Sequence, residues 1–220
     1  LGGLVAAIAL LGDGEQAEGS RRSVWRSGPG AGASLQIPEG APRRILPGSA
    51  AAVDWLAALG VAPERCVAIP AQSERWSGIR LDPAPWVDLP RYEKLSSEVA
   101  LGYEPDLVLV TAYSDPGAVK RIRESQAVVL QVDAPGDWAG LVAAGQEIAA
   151  AVQAGEAGKA LAESMEARRS ALANRATRSL RVLPYANYGG GGSTSGRGTT
   201  LDLALQLAGF TNVAAEAGIE

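Results

Sequence analysis

Aromatic side chains in predicted loops are the residues of this 220-residue sequence best suited to binding chemistry. They fall beside the apolar runs, where they can line a pocket for a large and partly apolar ligand. Tyrosine adds a hydroxyl group, or a phenolate that can coordinate iron. Each of them could equally be a local packing anchor. The residues are Trp76, Trp86, Tyr92, Tyr113, Tyr185 and Tyr188.

A glycine-rich segment, residues 189–200 (GGGGSTSGRGTT), is the second candidate for chemistry. Its glycines permit close backbone approach, and its amides could cradle an anion together with the N-terminus of the helix that follows. The segment is not a phosphate-binding P-loop, because Arg197 and Gly198 stand where Lys and Ser or Thr are required. It is either a plain flexible loop or a site in which Arg197 donates to a ligand carboxylate or phosphate.

The composition excludes several classes of protein. The sequence has no histidine, which excludes Ser-His-Asp and Cys-His catalytic pairs and His-ligated metal sites. Cys66 is the single cysteine and cannot form an internal disulfide. Since 24 acidic residues outnumber 20 scattered basic ones, no basic stripe is available for a nucleic acid. We therefore expect no nucleic-acid partner. No cofactor or metal is expected either, and no pair of carboxylates is obviously placed for general acid–base catalysis.

Short apolar runs alternate with helical patterns from residue 43 onward and predict an α/β lobe. Ser49 is expected to cap a helix that reaches Gly60, and a second short helix covers residues 118–124. This alternation is typical of right-handed crossovers in a parallel sheet covered on both faces. The predicted strands are residues 44–46, 67–69, 106–111 and 127–132.

Residues 138–178 have helical composition and predict a connector, which glycines divide into helices of about 16 and 20 residues. A strand at 180–185, a loop at 187–198 and a helix at 199–208 then open a second lobe. One strand and one helix cannot cover each other's apolar faces, so we expect that the second lobe is cut at its C-terminus or pairs with something absent. We predict an N-terminal arm (1–42), an α/β lobe (43–137), the connector (138–178) and the start of a second lobe (179–220).

The first eleven residues, Leu1–Leu11, are apolar or glycine and too short to cross a membrane as a helix. They fit the apolar centre of a secretion signal, with a buried N-terminal strand or helix as the alternative. Residues 12–42 mix Gly, Ser, Pro and Arg and predict a flexible arm. A secreted protein on the periplasmic or extracellular side of the membrane is expected.

Three segments resemble the substrate-binding proteins of ABC importers for ferric siderophores, haem and vitamin B12, the class III periplasmic binding proteins. Residues 44–60 resemble the first strand, loop and helix of that family. Residues 95–110 resemble its "E-x6-PDLV" segment, with Glu98 in the acidic position. Residues 198–202 and 207–213 resemble the helix of its second lobe and the ending that follows. The three matches lie in order and at suitable spacing.

The resemblance implies two Rossmann-like lobes with parallel sheets, joined by a long connecting helix and closing on a ligand in the cleft between them. It also implies that Glu98 docks on a membrane permease, and that the protein is monomeric and not an enzyme. The family continues past the position of Asn212 with a second docking Glu, so we expect a C-terminally truncated chain. The implied ligand contacts are Pro47, Gly48, Ser49, Gln72, Trp76, Tyr92, Tyr113, Tyr188 and Arg197.

The sequence does not choose among the ligands. Haem would take an axial tyrosine from Tyr92, Tyr113 or Tyr188. A ferric siderophore with an acidic periphery would use Arg75 or Arg197, and a corrinoid would use flat walls such as Trp76 and Tyr92. Two other readings stay open: a nucleotide- or phosphosugar-binding enzyme that uses residues 189–200, and a truncated product without function.

Overall fold

Strands and helices alternate along the chain, as predicted. The computed structural model of the protein describes residues 24–26, 40–81, 85–125, 127–173, 180–187, 189 and 191–220. The strands are β1 (Val24–Arg26), β2 (Ile45–Pro47), β3 (Ile69–Pro70), β4 (Arg91–Tyr92), β5 (Leu107–Val110), β6 (Val128–Gln131), β7 (Arg181–Val182), β8 (Ala186–Asn187), β9 (Gly192–Ser193) and β10 (Thr211–Asn212). The helices are α1 (Ala50–Ala58), α2 (Ser73–Trp76), α3 (Ser97–Gly102), α4 (Pro116–Arg123), α5 (Trp138–Ala151), α6 (Gly155–Ala173), α7 (Thr200–Leu207) and α8 (Val213–Glu216).

A main sheet of four parallel strands, in the order β1-β6-β5-β2, forms the centre of the protein. All four residues of β5 are buried, and their side chains alternate between the two faces. Leu107 and Leu109 pack in one apolar cluster with residues of α1 and α5. Val108 and Val110 pack in another with residues of α3 and α4. The prediction of a parallel sheet covered on both faces is therefore confirmed.

Strand β1 corrects the prediction of a flexible arm over residues 12–42. Val24 pairs with Val129 and Arg26 with Gln131, so β1 extends the main sheet beside β6. Three residues among Gly, Ser, Pro and Arg are too few to show the alternating pattern of a strand. The strand forms because the edge of β6 offers backbone groups with which these residues pair. The apolar run Leu1–Leu11 lies outside the described residues.

Strands β3 and β4 pair in parallel beside the main sheet, with Ile69 opposite Arg91 and Pro70 opposite Tyr92. The strand predicted at 67–69 is thus displaced to Ile69–Pro70, and a single bridge between Ile45 and Cys66 precedes it. Backbone bonds from Ala71 to the Tyr92 carbonyl fix the ends of both strands. The loops that follow them therefore emerge together.

Hydroxyl and carboxylate caps start the helices that leave the sheet. The Ser49 Oγ accepts from the Ala52 N–H at 3.1 Å, as predicted for α1. The carboxylate of Asp115 accepts from Ala118 at 2.7 Å at the start of α4. These caps fix the direction in which each loop enters its helix, and so hold the loops at the carboxyl end of the sheet.

The connector consists of two helices, α5 and α6, folded back on each other. A Cβ on Gly158 would lie 2.5 Å from the Ala149 Cβ, so the glycine permits their close approach. Trp138 at the start of α5 donates to Glu166 of α6 at 3.0 Å, which shows the antiparallel arrangement. Within the described residues, no helix combines the length and apolar character that crossing a membrane requires.

The C-terminal elements form strand pairs separate from the main sheet. β7 pairs with β10 in parallel, and β8 pairs with β9 in an antiparallel hairpin. The strand predicted at 180–185 is shorter, because Pro184 has no N–H to donate, and part of the loop predicted at 187–198 is strand. The domain boundaries at 42, 137 and 178 stay predictions.

A buried hydrogen-bond network holds α7 to β10. The Asn212 amide donates to the Asp202 carboxylate and to the Ser195 carbonyl, both at 2.9 Å. The same carboxylate accepts from Gln206 at 2.8 Å. Asp202 and Asn212 are nearly fully buried, and their mutual bonding offsets the cost of removing them from water.

Burial of Cys66 leads to a prediction on pH. Desolvation raises the pKa of its thiol to about 12, so folding favours the protonated thiol. The stability that this adds is present below the unfolded pKa of about 8.5 and is lost as the pH rises toward 12. We expect Cys66→Ala to flatten the fall of the free energy of unfolding between pH 8.5 and 10.5, measured by urea denaturation. If the free energy of unfolding falls with pH as steeply in the variant as in the parent protein, the fall does not come from the Cys66 thiol.

Candidate functional site

A cavity of about 850 Å³ lies at the carboxyl ends of β2, β3, β5 and β6. We call it the main cavity. Loops and helix starts converge at this edge of a parallel sheet, which is where open α/β sheets bind ligands. The connector closes its far side. The lining is mostly apolar and includes Gly48, Ser49, Trp55, Gln72, Tyr92, Leu95, Thr111, Tyr113, Pro135, Leu141, Leu161, Met165 and Thr200.

The loop after β2 forms one edge of the main cavity. The Gly48 N–H donates to the Leu109 carbonyl at 2.7 Å, and a Cβ on Gly48 would lie 2.4 Å from that oxygen. Only glycine permits this approach, so the loop is fixed against β5. Gly48 and Ser49 line the cavity, as predicted for ligand contacts. Pro47 is buried behind them and does not line it.

Tyr92 lines the main cavity with its ring, but its hydroxyl is directed into the protein. The hydroxyl donates to the Pro47 carbonyl at 2.5 Å. Burial raises the pKa of Tyr92 well above its usual range, with a smaller contribution from Tyr103. The side chain is therefore a neutral phenol whose proton is donated to the Pro47 carbonyl. This geometry favours a wall residue and disfavours an iron-binding phenolate.

Tyr113 presents its whole side chain at the rim of the main cavity. It follows β5 in a turn where the Ser114 hydroxyl accepts from the Thr111 N–H at 3.1 Å. The side chain is 91% exposed. A tight turn that holds a large aromatic group in solvent has no value for packing, so Tyr113 is the tyrosine best placed to meet a ligand.

The structure brings together five of the predicted ligand contacts and leaves Pro47, Trp76 and Arg197 outside the lining of the main cavity. Gln72 lies in the lining, whereas Trp76 lies outside it, 68% exposed with the Arg75 guanidinium 4.9 Å from its ring centre. Arg197 lines a different cavity. Tyr188 lies outside the described residues. The five that share the main cavity are Gly48, Ser49, Gln72, Tyr92 and Tyr113.

The connector supplies lining residues that sequence reasoning missed. Leu141 of α5 and Leu161 and Met165 of α6 face the main cavity. Leu161 and Met165 are four residues apart, a spacing that places them on one helix face, and neither was predicted as a ligand contact. Both side chains are half-buried, so this helix face is not fully packed and leaves room for the cavity. The sequence alone does not show this.

A second cavity of about 1030 Å³ lies on the other side of residues 133–135. We call it the second cavity, and those three residues line both. The Thr200 hydroxyl donates to the Pro135 carbonyl at 2.9 Å. A Cβ on Gly136 would fall within 2.1 Å of the Gly198 carbonyl oxygen, so the two backbones touch. This contact joins the main-sheet region to the C-terminal elements.

Residues 191–200, the continuous described part of the glycine-rich segment, do not form an anion cradle. Thr199 caps α7 by accepting from the Asp202 N–H at 3.1 Å, and the Asp202 carboxylate occupies the first turn. A buried carboxylate at a helix N-terminus already meets the favourable end of the helix dipole and would repel a phosphate. The Arg197 guanidinium donates to the Ala215 carbonyl at 3.3 Å. This arrangement argues against a nucleotide site in residues 189–200.

Glu98 lies on the surface in the first turn of α3, directly after the loop that lines the main cavity. Its own backbone N–H and the hydroxyls of Ser97 and Ser96 hold the pKa of its carboxyl below the usual range. Arg121 donates to the Ser97 Oγ at 2.8 Å and adds a favourable charge. Glu98 is therefore an ionised and accessible carboxylate at the rim.

The described residues place no group of three or more acidic or cysteine side chains where they could hold a bare metal ion. The cavity supplies mostly apolar walls, an aromatic group at the rim, and polar and charged side chains among the lining residues. This combination suits recognition of a bulky molecule.

No known family profile and no curated protein match the sequence. Solved structures do match the fold. The periplasmic haem-binding protein HutB of Vibrio cholerae is 23% identical with a TM-score of 0.68, over 79% of this chain and 66% of that one. The haem-binding protein RhuT of Roseiflexus sp. RS-1 is 26% identical with a TM-score of 0.68, over 82% and 68%. The haem-binding protein BhuT, solved with two haems, is 28% identical with a TM-score of 0.62, over 79% and 67%. The chain thus spans about two thirds of the length of these structures.

Proposed function

We propose that the chain, whose fold is similar to that of periplasmic haem-binding proteins, is a class III substrate-binding protein of an ABC importer that binds an iron complex or a corrinoid and delivers it to a membrane permease. The main cavity carries the proposal, because its volume of about 850 Å³ and mostly apolar walls fit a bulky chelate. Three of the similar structures are of periplasmic haem-binding proteins. They support an iron complex as the first ligand to test.

In this proposal the ligand lies against the loops of the main cavity and under the rim at Tyr113. Gly48 and Ser49 offer backbone and hydroxyl contacts, and Gln72 offers an amide. Tyr92 contributes a flat wall. Binding and release follow from different contacts in open and closed arrangements, without chemistry on the ligand. The protein acts as a monomer outside the cytoplasm.

The test is a titration of the purified protein with haem, hydroxocobalamin and a ferric trihydroxamate. Haem is followed by its Soret band, and the other two are followed by tryptophan fluorescence and calorimetry. The proposal predicts saturable one-to-one binding of at least one of them. If none binds while a nucleotide does, the enzyme hypothesis replaces it.

Glu98 is the proposed contact with the permease, and its removal should affect transport without affecting ligand binding. A single exposed ion pair is worth up to about fivefold in affinity at low salt, so Glu98→Gln should weaken stimulation of the permease ATPase by about two- to fivefold. The measurement uses vesicles that contain the cognate permease.

Glu124→Gln is the matched control for Glu98. Glu124 caps the far end of α4, whose start lies at the main cavity. It is an exposed carboxylate and does not line the main cavity. Equal losses in both variants, or a loss of ligand affinity in Glu98→Gln, would contradict a docking role.

A further inference from the structure

The charged groups of the main cavity carry an inference about the ligand itself. Among the described lining residues, four are carboxylates and one is an ammonium group. We propose that the ligand carries no net negative charge, and that a neutral or cationic ferric hydroxamate fits better than haem. This inference rests on the proposed function and narrows its substrate class. The charged lining residues are Asp54, Glu93, Lys94, Asp115 and Asp133.

The bonding partners of three of these carboxylates are uncharged, so their negative charges are not cancelled locally. Asp54 accepts from the Ser77 hydroxyl and from the Gly78 N–H at 2.7 Å. Asp115 accepts from a backbone N–H in capping α4. Asp133 accepts from the Gln131 amide at 3.0 Å. Hydrogen bonds to neutral donors orient a carboxylate but leave its charge to act on a ligand.

The fourth carboxylate and the ammonium group are neighbours on the loop after β4. Glu93 and Lys94 are both exposed and both line the main cavity. The negative charge of Glu93 and the positive charge of Lys94 cancel at the rim. The negative surplus of the lining therefore comes from Asp54, Asp115 and Asp133, which come from three different parts of the wall.

Two arginines, Arg169 and Arg197, line the second cavity, and both are engaged there. Arg169 is 2.9 Å from the Glu166 carboxylate and stacks on Trp138 at 5.1 Å. Arg197 donates to the Ala215 carbonyl. Bidentate arginine contacts are the usual means of holding a carboxylate, and the described lining of the main cavity contains no arginine.

The charge of the candidate complexes follows from their chemistry. Three hydroxamates neutralise one ferric ion, so the chelate core is uncharged and a pendant amine makes the whole complex cationic. Haem carries two propionates, and a tris-catecholate ferric complex carries three negative charges. Consider one charge on the ligand and one negative charge of the wall, separated by about 8 Å in a medium with an effective dielectric constant of about 40. Their interaction changes the binding affinity about fivefold for each unit of ligand charge.

The experiment compares three forms of one linear ferric trihydroxamate: the free terminal amine, its acetylated form and its succinylated form. They share one iron core and carry charges of +1, 0 and −1. We expect affinity by calorimetry at low salt to fall about fivefold or more at each step, and high salt to shrink the steps. Haem is titrated alongside and should bind more weakly than the amine form.

Substitutions of wall carboxylates test whether they cause the dependence of affinity on ligand charge. Asp133→Asn and Asp54→Asn should each reduce the step between the amine and succinylated forms, and thermal melts establish that the variants fold. Glu163→Gln is the control, because Glu163 is exposed on α6 and does not line the main cavity. It should leave the charge series unchanged.

The outcomes separate this inference from the proposed function. If the succinylated form binds as tightly as the amine form, or if haem binds more tightly than all three, the charge inference is overturned while the proposed function stands. If neither haem, cobalamin nor any of the hydroxamates binds, the proposed function fails and this inference fails with it.

Discussion

Gly48→Ala is expected to lower the free energy of unfolding by about 3 kcal/mol, at the upper end of overpacking costs. The new Cβ would lie 2.4 Å from the Leu109 carbonyl oxygen and 3.1 Å from the Leu95 Cδ2. A backbone carbonyl cannot rotate aside as a side chain can, so β2 and β5 must separate and the bond from the Gly48 N–H must lengthen. Urea denaturation followed by circular dichroism measures the loss.

Gly102→Ala is the matched control for Gly48. Gly102 ends α3, and a Cβ there would meet nothing within 4 Å. Alanine at this position should change stability by less than about 1 kcal/mol, in the favourable direction. If Gly48→Ala were as stable as Gly102→Ala, the close approach of the loop to β5 would be refuted.

Tyr113→Ala is expected to weaken binding of the best ligand in the titration by about 30-fold, or about 2 kcal/mol, as for a buried aromatic anchor. The side chain is exposed in the empty protein, so the substitution removes no packing and should leave the melting temperature unchanged. The loss should appear in affinity alone, measured by calorimetry.

Tyr185→Ala serves as the control for Tyr113. Tyr185 is also a largely exposed tyrosine, but it precedes the β8–β9 hairpin and lies outside the lining of the main cavity. Its removal should leave ligand affinity within about twofold, as for surface positions without contacts. A loss of affinity in both variants, or in neither, would show that Tyr113 is not a specific contact.

The central sheet could be predicted because its signals are local. Leu107–Val110 is a continuous apolar run, too short for a helix and rich in valine, and the structure buries all of it. Ser49 was predicted to cap α1, and its hydroxyl accepts the expected backbone hydrogen bond. Thr199 was predicted as the start of a helix, and its hydroxyl caps α7 in the same way.

Features set by distant neighbours could not be predicted. β1 exists through its pairing with β6, and nothing within Val24–Arg26 indicates a partner more than a hundred residues away. The direction of the Tyr92 hydroxyl depends on the Pro47 carbonyl, 45 positions earlier. Sequence reasoning located Tyr92 near the ligand loops but could not tell which end of the side chain meets the cavity.

The touching backbones at Gly136 and Gly198 have a mechanical consequence. Both glycines line the second cavity, and the Thr200 hydroxyl donates to the neighbouring Pro135 carbonyl. A side chain at Gly136 would force these backbones apart and separate the wall that the two cavities share from the C-terminal elements.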